Sequence, residues 1–489
     1  MIYKTHQDEI QNYLTDASNF RGNAHQVIIP ETPLEMKLAV EECQKLNCSL
    51  TISAARTGLA GGCVPLEGSV VTTERLNRIV NINVDSKEAT VEAGVTLAQL
   101  EEELDKFDLF YPPNPTEKNS TIGGNIATNA SGSRTFMYGP TRPFIKELDL
   151  VLASGEQLNL KRGENFFFGN YGFLVTDAGS KIPLNIEHKI IMPNIKHAAG
   201  YYLYPGMDLI DLFVGSEGSL GVVTQARLQL FDKPANVLGL IIYFDEEENL
   251  IDFVEEIREE STLSIELPIS SDICARLIEY FDKHSLDFLR EEYPNIPLDA
   301  VGAVWVEQEF RDVEEDSVLE NWYKIISEYT NFRDLTWTAI DDAEHKKMKE
   351  FRHTLPLKVT DYLSQNNKVK IATDAAVPAK KFRNYYSEIL EILQNSGCKY
   401  LVYGHIGNSH LHANILPREN EKREDLLPLY DDMIDVALKY GGTVSAEHGI
   451  GKLKKKYLRR MFSDEGIKTM KNIKEALDPR GLLGKGNLF

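Results

Sequence analysis

Three glycine-rich loops in the first half of the chain most restrict what it can fold into. They span residues 56–62, 120–132 and 215–221. Glycine has no side chain, so such loops let backbone N–H groups approach a ligand closely, and successive N–H groups in a turn bind anions. One loop alone would equally fit a tight turn, but three around one ligand suit a dinucleotide with a pyrophosphate and a flat ring. Neither GxGxxG after a first strand nor GxxxxGK[ST] occurs, which argues against a Rossmann site and a P-loop.

Between these loops, short apolar runs alternate with helical patterns. Val27–Ile29 is typical of a strand, and Thr32–Leu46 predicts a helix with an N-capping threonine and a proline at its first position. Thr96–Lys106 predicts a second helix that begins with a capping box. We therefore predict a mixed α+β domain over residues 26–232, preceded by an N-terminal helical segment at residues 1–25.

The pattern changes after Pro234. Strand patterns such as Val237–Phe244 then precede acidic helical patterns such as Glu246–Glu260, which predicts a second, α/β layer domain over residues 233–440. Residues 441–489 form a C-terminal segment. More than one domain is expected, because 489 residues exceed what one hydrophobic core usually serves.

Composition excludes several classes of function. Lys plus Arg is 53 and Asp plus Glu is 74, so the net charge is 53 − 74 = −21, which argues against nucleic acid as the main partner. The five cysteines form no CxxC pair, which fits a reducing compartment and excludes an iron–sulfur cluster with closely spaced ligands. No basic leader and no run of 18 apolar residues is present, so we expect a cytoplasmic protein without a transmembrane segment.

Histidines concentrate near the end of the second domain. His405 and His412 lie in two predicted strands around a Gly-Asn-Ser turn, so a hairpin can bring both to one ion. His410 shares a strand face with His412 and is a rival ligand. Glu447 and His448 follow in a loop. Two imidazoles and one carboxylate make a divalent-metal site with open coordination positions, and a neighbouring histidine can act as a base.

Several motifs together resemble one family. They are Thr-Ile-Gly-Gly-Asn at 121–125, Val-Gly-Ser-Glu-Gly at 214–218, the histidine hairpin, Glu-His-Gly-Ile-Gly at 447–451 and Leu-Asp-Pro at 477–479. The chain resembles FAD-dependent 2-hydroxyacid dehydrogenases of the D-lactate, glycolate and D-2-hydroxyglutarate type. The resemblance implies an α+β fold with a vanillyl-alcohol-oxidase (p-cresol methylhydroxylase) type FAD-binding domain, an α/β substrate (cap) domain and a C-terminal segment that returns to the FAD domain.

The resemblance also implies which residues hold FAD. The contacts to the pyrophosphate, the ring and the ribityl chain are expected from Arg56, Thr57, Gly58, Leu59, Ala60, Gly61, Gly62, Thr121, Gly123, Gly124, Asn125, Thr128, Ala130, Ser131, Gly132, Glu217, Gly218 and Val222. Some relatives tether FAD to a histidine near the first loop. No histidine lies between His25 and His188, so non-covalent FAD is expected.

By the same resemblance, a divalent ion (zinc, manganese or iron) is bound by His405, His412 and Glu447. The ion would lower the pKa of a substrate hydroxyl group, and His448 would take its proton. Arg352 would bind the substrate carboxylate, since its planar fork matches two oxygens, and Asn414 would contact the substrate.

The expected activity is oxidation of a 2-hydroxy acid to a 2-oxo acid, with hydride transfer to FAD. Pro356, four residues after Arg352, argues against a clamp for a second carboxylate, which favours D-lactate or another D-2-hydroxy monocarboxylate. The alternatives are an oxidase that uses O2, a D-2-hydroxyglutarate or glycolate dehydrogenase, a metal-only enzyme, and a flavin-binding subunit of a respiratory complex.

The expected partners are an external electron acceptor (a quinone, an electron-transfer flavoprotein or a cytochrome) and a second copy in a homodimer. The basic run Lys452–Arg460 is interpreted as a solvated helix face, with peripheral contact to the inner membrane or an electron acceptor as the alternative.

Overall fold

The computed structural model describes residues 1–188, 190–266, 273–366, 368, 371–418 and 421–489. Its helices are α1 (Gln7–Ile10), α2 (Pro33–Lys45), α3 (Leu97–Leu104), α4 (Ile122–Thr128), α5 (Thr135–Tyr138), α6 (Ile210–Phe213), α7 (Glu247–Glu266), α8 (Lys283–Leu289), α9 (Glu315–Tyr329), α10 (Asp342–Gln365), α11 (Phe382–Ser396), α12 (Leu427–Lys439), α13 (Lys455–Met461) and α14 (Asp464–Leu477). Its strands are β1 (Ile2–Lys4), β2 (Gln26–Ile29), β3 (Leu50–Ser53), β4 (Ser69–Thr72), β5 (Ile79–Asn83), β6 (Glu88–Glu92), β7 (Leu109–Phe110), β8 (Ile145–Val151), β9 (Gln157–Lys161), β10 (Tyr171–Val175), β11 (Lys181–Asn185), β12 (Val222–Gln229), β13 (Phe231–Asp232), β14 (Asn236–Phe244), β15 (Ala275–Asp282), β16 (Gly302–Phe310), β17 (Trp337–Ala339), β18 (Ile371–Ala372), β19 (Ala375–Ala376), β20 (Lys399–Gly404) and β21 (His410–Leu416).

The described chain divides into two compact units. Unit 1 comprises Met1–Gly132, Gly139–Lys233 and Ser445–Phe489, and unit 2 comprises Ser133–Tyr138 and Pro234–Val444. Each unit therefore combines segments that are far apart in the sequence. The four segments expected from the sequence stay a prediction.

Unit 1 contains a four-stranded and a five-stranded sheet. The first has the order β1-β2-β4-β3, in which β4 runs parallel to β2 and β3, and the second has the antiparallel order β5-β6-β12-β8-β9. Met36 and Val40 of α2 pack with Val71 of β4 and Val151 of β8 in one buried cluster. Burying this apolar helix face holds α2 against both sheets, because removing apolar surface from water is favourable.

The predicted helix starts in unit 1 are confirmed. The Thr32 hydroxyl oxygen accepts the backbone N–H of Glu35 at 3.2 Å, directly before α2. Thr96 and Gln99 form the predicted capping box at the start of α3. The α3 helix ends at Leu104 and continues as a 3-10 turn, so it is shorter than the pattern suggested. Such caps satisfy N–H groups that have no partner within the helix.

Unit 2 is built on an antiparallel sheet with the order β17-β14-β16-β15-β20-β21-β18, and β19 also pairs with β21. Its core includes Phe281 and Trp305 from the sheet and Phe351 and Leu355 from α10. α10 continues through Pro356, which has no N–H. The carbonyl group of Arg352, four residues earlier, therefore lacks its usual helical hydrogen bond. No helix in the described part of the chain is long and apolar enough to cross a membrane.

Candidate active site

A large cavity in unit 1 lies among the three glycine loops. Its empty volume is about 1020 Å³, including the part open to solvent. Thirteen of the predicted FAD residues line it, namely Arg56, Thr57, Gly58, Ala60, Gly62, Thr121, Gly123, Gly124, Asn125, Thr128, Glu217, Gly218 and Val222. The other five predicted residues, Leu59, Gly61, Ala130, Ser131 and Gly132, are not among its lining residues. The structure thus brings together residues from all three loops.

Backbone packing explains why the second loop needs glycine. Thr121 caps α4 by accepting the N–H of Gly124 at 3.3 Å. A Cβ atom added at Gly123 would lie 2.7 Å from the Cβ of Ala93, the residue that follows β6. Only glycine therefore allows α4 to pack this closely against the segment that follows β6. This packing places the N-terminus of α4 beside the cavity.

Buried polar atoms at this cavity test whether FAD fits it. Thr73 Oγ1, Ser120 Oγ and Asn125 Nδ2 are buried and have no hydrogen-bond partner among the described residues. Buried polar groups are almost always paired in proteins, because leaving them unpaired costs free energy. A ligand with many polar groups, such as FAD, would supply these partners. The donor and acceptor set of the cavity therefore fits the predicted cofactor.

Glu217 connects the third loop to the Glu-His-Gly-Ile-Gly segment within unit 1. Its carboxylate accepts the backbone N–H groups of Ile450 at 2.7 Å and Gly451 at 2.6 Å. Burial raises the pKa of Glu217, these two N–H donors and Lys452 lower it, and the result is a pKa of about 7.

Lys452 corrects the interpretation of the basic run as a solvated face. Its ammonium group donates to the carbonyl oxygens of Gly61 and Gly62, at 3.2 Å each. Burial lowers the pKa of Lys452 to about 8. Arg459 and Arg460 are exposed, whereas Tyr457 and Leu458 of α13 are buried. Lys452 therefore contacts the first glycine loop, whereas Tyr457 and Leu458 lie in the core and Arg459 and Arg460 lie at the surface.

Glu447 and His448 lie in a loop of unit 1. A Glu447 carboxylate oxygen contacts the Lys196 ammonium group at 2.8 Å and accepts the Ser131 hydroxyl at 3.3 Å. His448 Nε2 lies 3.6 Å from the other oxygen of Glu447, and His448 lines the cavity described above. Sequence reasoning missed Lys196, whose side chain is 1% exposed, because nothing in its loop distinguishes it from a surface lysine.

In unit 2, the hairpin of β20 and β21 brings three imidazoles together. His405 follows β20, and Tyr403 pairs with His412 across the hairpin. The ring centroids are separated by 5.3 Å for His405 and His410, 5.8 Å for His405 and His412, and 4.6 Å for His410 and His412. Their ligand atoms lie within 4.8 Å of one another. The structure therefore groups His410 with the two predicted ligands.

A hydrogen bond orients the His412 ring, and a carboxylate lies beside the His410 ring. His412 Nδ1 lies 3.1 Å from the carbonyl oxygen of Thr373. A carbonyl oxygen only accepts, so Nδ1 carries the proton and Nε2 keeps its lone pair for a ligand. His410 Nε2 lies 3.3 Å from Asp374 Oδ1. Such second contacts are typical of histidines that bind metals.

Arg352 and Asn414 are also in unit 2. Arg352 lies on α10, its Nε donates to Glu279 at 3.1 Å, and its guanidinium group lies 5.0 Å from the centroid of the Tyr403 ring. Asn414 is fully buried on β21, and its amide donates to the backbone oxygen of His412 at 2.9 Å. The structure thus places Asn414 beside the hairpin histidines and pairs Arg352 with a carboxylate.

Glu279 was not predicted from the sequence. It lies on β15, is 1% exposed, and contacts both Arg352 Nε and His405 Nδ1. Burial by itself would raise the pKa of Glu279, but His405 and Arg352 together outweigh this effect. The pKa is therefore lowered, to about 2. All eight residues of β15 are buried, so a glutamate within this strand had to be paired. A glutamate flanked by Leu277, Ile278, Tyr280 and Phe281 was the available signal, but it does not identify the partners.

Comparisons with known proteins identify the family. Residues 24–161 match the model of the FAD binding domain, and residues 234–488 match that of the FAD linked oxidases, C-terminal domain. Similar proteins include glycolate oxidase subunit GlcD of Bacillus subtilis, which is 29% identical over 98% of this chain and 92% of its own length. D-lactate dehydrogenase of Archaeoglobus fulgidus is 27% identical over 94% and 90% of the two chains. D-2-hydroxyglutarate dehydrogenase of Xanthomonas citri pv. viticola is 27% identical over 99% and 94%.

A solved structure of alkyldihydroxyacetonephosphate synthase has a TM-score of 0.68 and 14% identity, and the match covers 99% of this chain and 81% of that one. At this identity it shows the fold alone. Together with the FAD-binding domain, it confirms the predicted fold class, and the two family models confirm the predicted cofactor FAD. The chain therefore belongs to the FAD-linked oxidase family, as its resemblance to FAD-dependent 2-hydroxyacid dehydrogenases predicted, and is an FAD-dependent oxidoreductase.

Proposed function

We propose that this protein oxidises a 2-hydroxy acid to the corresponding 2-oxo acid. The observation that carries the proposal is His448, a histidine that lines the same cavity as the glycine loops of the FAD-binding domain. A histidine at a flavin cavity is suited to take a proton from a substrate alcohol. The names of the relatives, glycolate oxidase subunit, D-lactate dehydrogenase and D-2-hydroxyglutarate dehydrogenase, support a substrate of this class.

The reaction removes two hydrogens from the substrate. The hydroxyl proton passes to His448 Nε2 or Nδ1, and the C2 hydrogen leaves with two electrons as the C–O bond becomes a carbonyl. When bound, FAD supplies the acceptor for that hydride. Glu447, beside His448, stabilises the imidazolium ion that forms, because an opposite charge favours the protonated ring.

Arg352 is proposed to bind the substrate carboxylate. Its Nε is paired with Glu279, while Nη1 and Nη2 make no hydrogen bond to any described residue. These two nitrogens form the end of the planar fork, which matches the two oxygens of a carboxylate. Asn414 is proposed as a further substrate contact. Because Pro356 follows in the same helix, the proposal favours a D-2-hydroxy monocarboxylate such as D-lactate over a dicarboxylate.

A divalent ion is the finer part of the proposal. His405, His412 and Glu447 are the proposed ligands, with zinc, manganese or iron as the ion. The donor set fits, because imidazole nitrogens and a carboxylate suit all three metals, and three imidazoles already cluster in the hairpin. When bound, the ion acts as a Lewis acid that lowers the pKa of the substrate hydroxyl group.

The proposal further places the enzyme in the cytoplasm, where the five free cysteines would stay reduced. An external acceptor, a quinone, an electron-transfer flavoprotein or a cytochrome, would reoxidise the flavin. The homodimer stays a prediction.

An anaerobic absorption spectrum tests the proposal. We expect the flavin bands of the purified protein to bleach with one enantiomer from a panel of 2-hydroxy acids. Treatment with a chelator should prevent bleaching without releasing FAD. A yellow protein that no 2-hydroxy acid reduces would refute the proposed reaction. Rapid peroxide release in air would instead identify an oxidase that uses O2.

A further inference from the structure

One buried carboxylate in unit 2 contacts both the predicted substrate-binding arginine and a predicted metal ligand. Glu279 Oε2 accepts Arg352 Nε at 3.1 Å, and Glu279 Oε1 contacts His405 Nδ1 directly. Its side chain is 1% exposed, so water does not compete for either contact. A carboxylate that uses one oxygen for each partner fixes the positions of both side chains relative to each other.

The contact with His405 determines which ring nitrogen is available for a ligand. A carboxylate accepts hydrogen bonds, so Nδ1 of His405 holds a proton that it donates to Glu279. Nε2 then keeps its lone pair, as in the His412 ring, where Nδ1 donates to the Thr373 carbonyl oxygen. A carboxylate bonded to the second nitrogen of a metal-binding histidine fixes the ring and makes it a stronger ligand.

The contact with Arg352 determines which side of the guanidinium group faces a substrate. Because Nε is bonded to Glu279, the side-on pair of donors that includes Nε is occupied. The end-on pair, Nη1 and Nη2, remains. The Tyr403 ring, 5.0 Å from the guanidinium carbon, supports the group from one face. The arginine is therefore held in one orientation before any substrate arrives.

We propose that Glu279 is a positioning residue that couples metal binding to recognition of the substrate carboxylate. This deepens the proposed function and rests on it. One side chain orients His405 for the ion that binds the hydroxyl oxygen and Arg352 for the carboxylate. The spacing between these two groups would then select acids whose hydroxyl lies on the carbon next to the carboxylate. Loss of Glu279 would weaken both metal binding and substrate binding.

Glu307 offers a matched control in the same sheet. It lies on β16, is also 1% exposed, and is likewise paired with an arginine and a histidine. Arg276 Nε donates to it at 2.8 Å, and His345 Nδ1 lies 3.5 Å away. Burial by itself would raise the pKa of Glu307, but Arg276 and His345 together outweigh this effect and lower the pKa to about 2. Glu307 has no hydrogen bond or ion pair with His405 or Arg352, so its loss would reproduce only the structural cost of removing a buried carboxylate.

The experiment compares Glu279→Gln and Glu307→Gln with wild type in the FAD-loaded, metal-stripped protein. Glutamine keeps the shape of the side chain, but it has only one oxygen that can accept a hydrogen bond. Its NH2 group would then face the N–H of the other partner, so one of the two contacts is lost. Zn²⁺ affinity is measured by competition with a chromophoric chelator, and KM and kcat are then measured with D-lactate after each protein has been saturated with Zn²⁺. We expect Glu279→Gln to bind Zn²⁺ about 10- to 100-fold more weakly. The KM should rise by about 10-fold or more, since an arginine that is no longer held binds the carboxylate less well. Flavin absorption should be unchanged, and Glu307→Gln should match wild type in both quantities.

Unchanged Zn²⁺ affinity and KM in Glu279→Gln would overturn the inference, and so would equal losses in the two variants. If Glu279→Gln does not fold, Zn²⁺ affinity and KM are measured in Glu279→Asp instead. The shorter aspartate side chain keeps the charge but cannot reach both partners. The Zn²⁺ measurement does not depend on turnover. A wild type that binds Zn²⁺ but is reduced by no 2-hydroxy acid would refute the proposed function alone, whereas a wild type that does not bind Zn²⁺ would overturn the inference.

Discussion

Glu217 should make the stability of the FAD-free protein depend on pH in a defined direction. Its carboxyl group is buried, and its pKa is raised from 4.5 to about 7. Between these two pH values the folded protein binds a proton that the unfolded protein has lost. The contribution of Glu217 to stability is therefore fully present below pH 4.5 and is lost as the pH rises through about 7.

The size of this effect follows from the same two pKa values. The interval of about 2.5 pH units, at about 1.4 kcal/mol for each, corresponds to about 3 kcal/mol of unfolding free energy. Glu217→Gln removes the titration and keeps an oxygen that can accept the N–H of Ile450 or Gly451. We therefore expect the unfolding free energy of the variant, minus that of wild type, to increase by about 3 kcal/mol between pH 4 and pH 8.

Urea unfolding of both FAD-free proteins across this pH range measures the difference. Glu9→Gln, at an exposed glutamate of unit 1, is the control and should show almost no change with pH. A difference between Glu217→Gln and wild type that stays constant within about 1 kcal/mol would refute the reasoning. It would mean that the two backbone donors and Lys452 fully compensate for the burial of the carboxylate.

Three further outcomes are expected. Gly123→Ala should weaken FAD binding at least about 10-fold, because the added Cβ would lie 2.7 Å from the Cβ of Ala93 and displace α4; full flavin content after purification would contradict this. Arg352→Lys should lower kcat/KM by about 100-fold, mainly through KM, because an ammonium group cannot form the planar fork; an unchanged KM would exclude Arg352 as the carboxylate ligand. His412→Ala should reduce the metal content measured by mass spectrometry to a small fraction of wild type while the FAD spectrum persists. Wild-type metal content would instead point to His410 as the ligand.

Local features could be predicted from the sequence because they depend on neighbouring residues. Thr32 and Thr96 cap helices whatever the rest of the chain does, and the Gly-Asn-Ser turn forms a hairpin by its own backbone preferences. The glycine loops were recognised for the same reason. The strands β10 and β11 were not predicted. In β10 the exposed residues Tyr171, Phe173 and Val175 are themselves apolar, so the sequence lacks the alternation of polar and apolar residues that would indicate a strand.

The sequence by itself thus determined the family, the cofactor and which short segments surround it. Only the tertiary structure paired Glu279 with Arg352 and His405, which are separated from it by 73 and 126 residues. The same holds for Lys196 with Glu447 and for Lys452 with the first glycine loop. A charged side chain must find its counter-charge or hydrogen-bond partners when it is buried, but any distant residue of suitable chemistry can supply them. Local patterns therefore indicate that a partner exists, and only the packing of the sheets decides which residue it is.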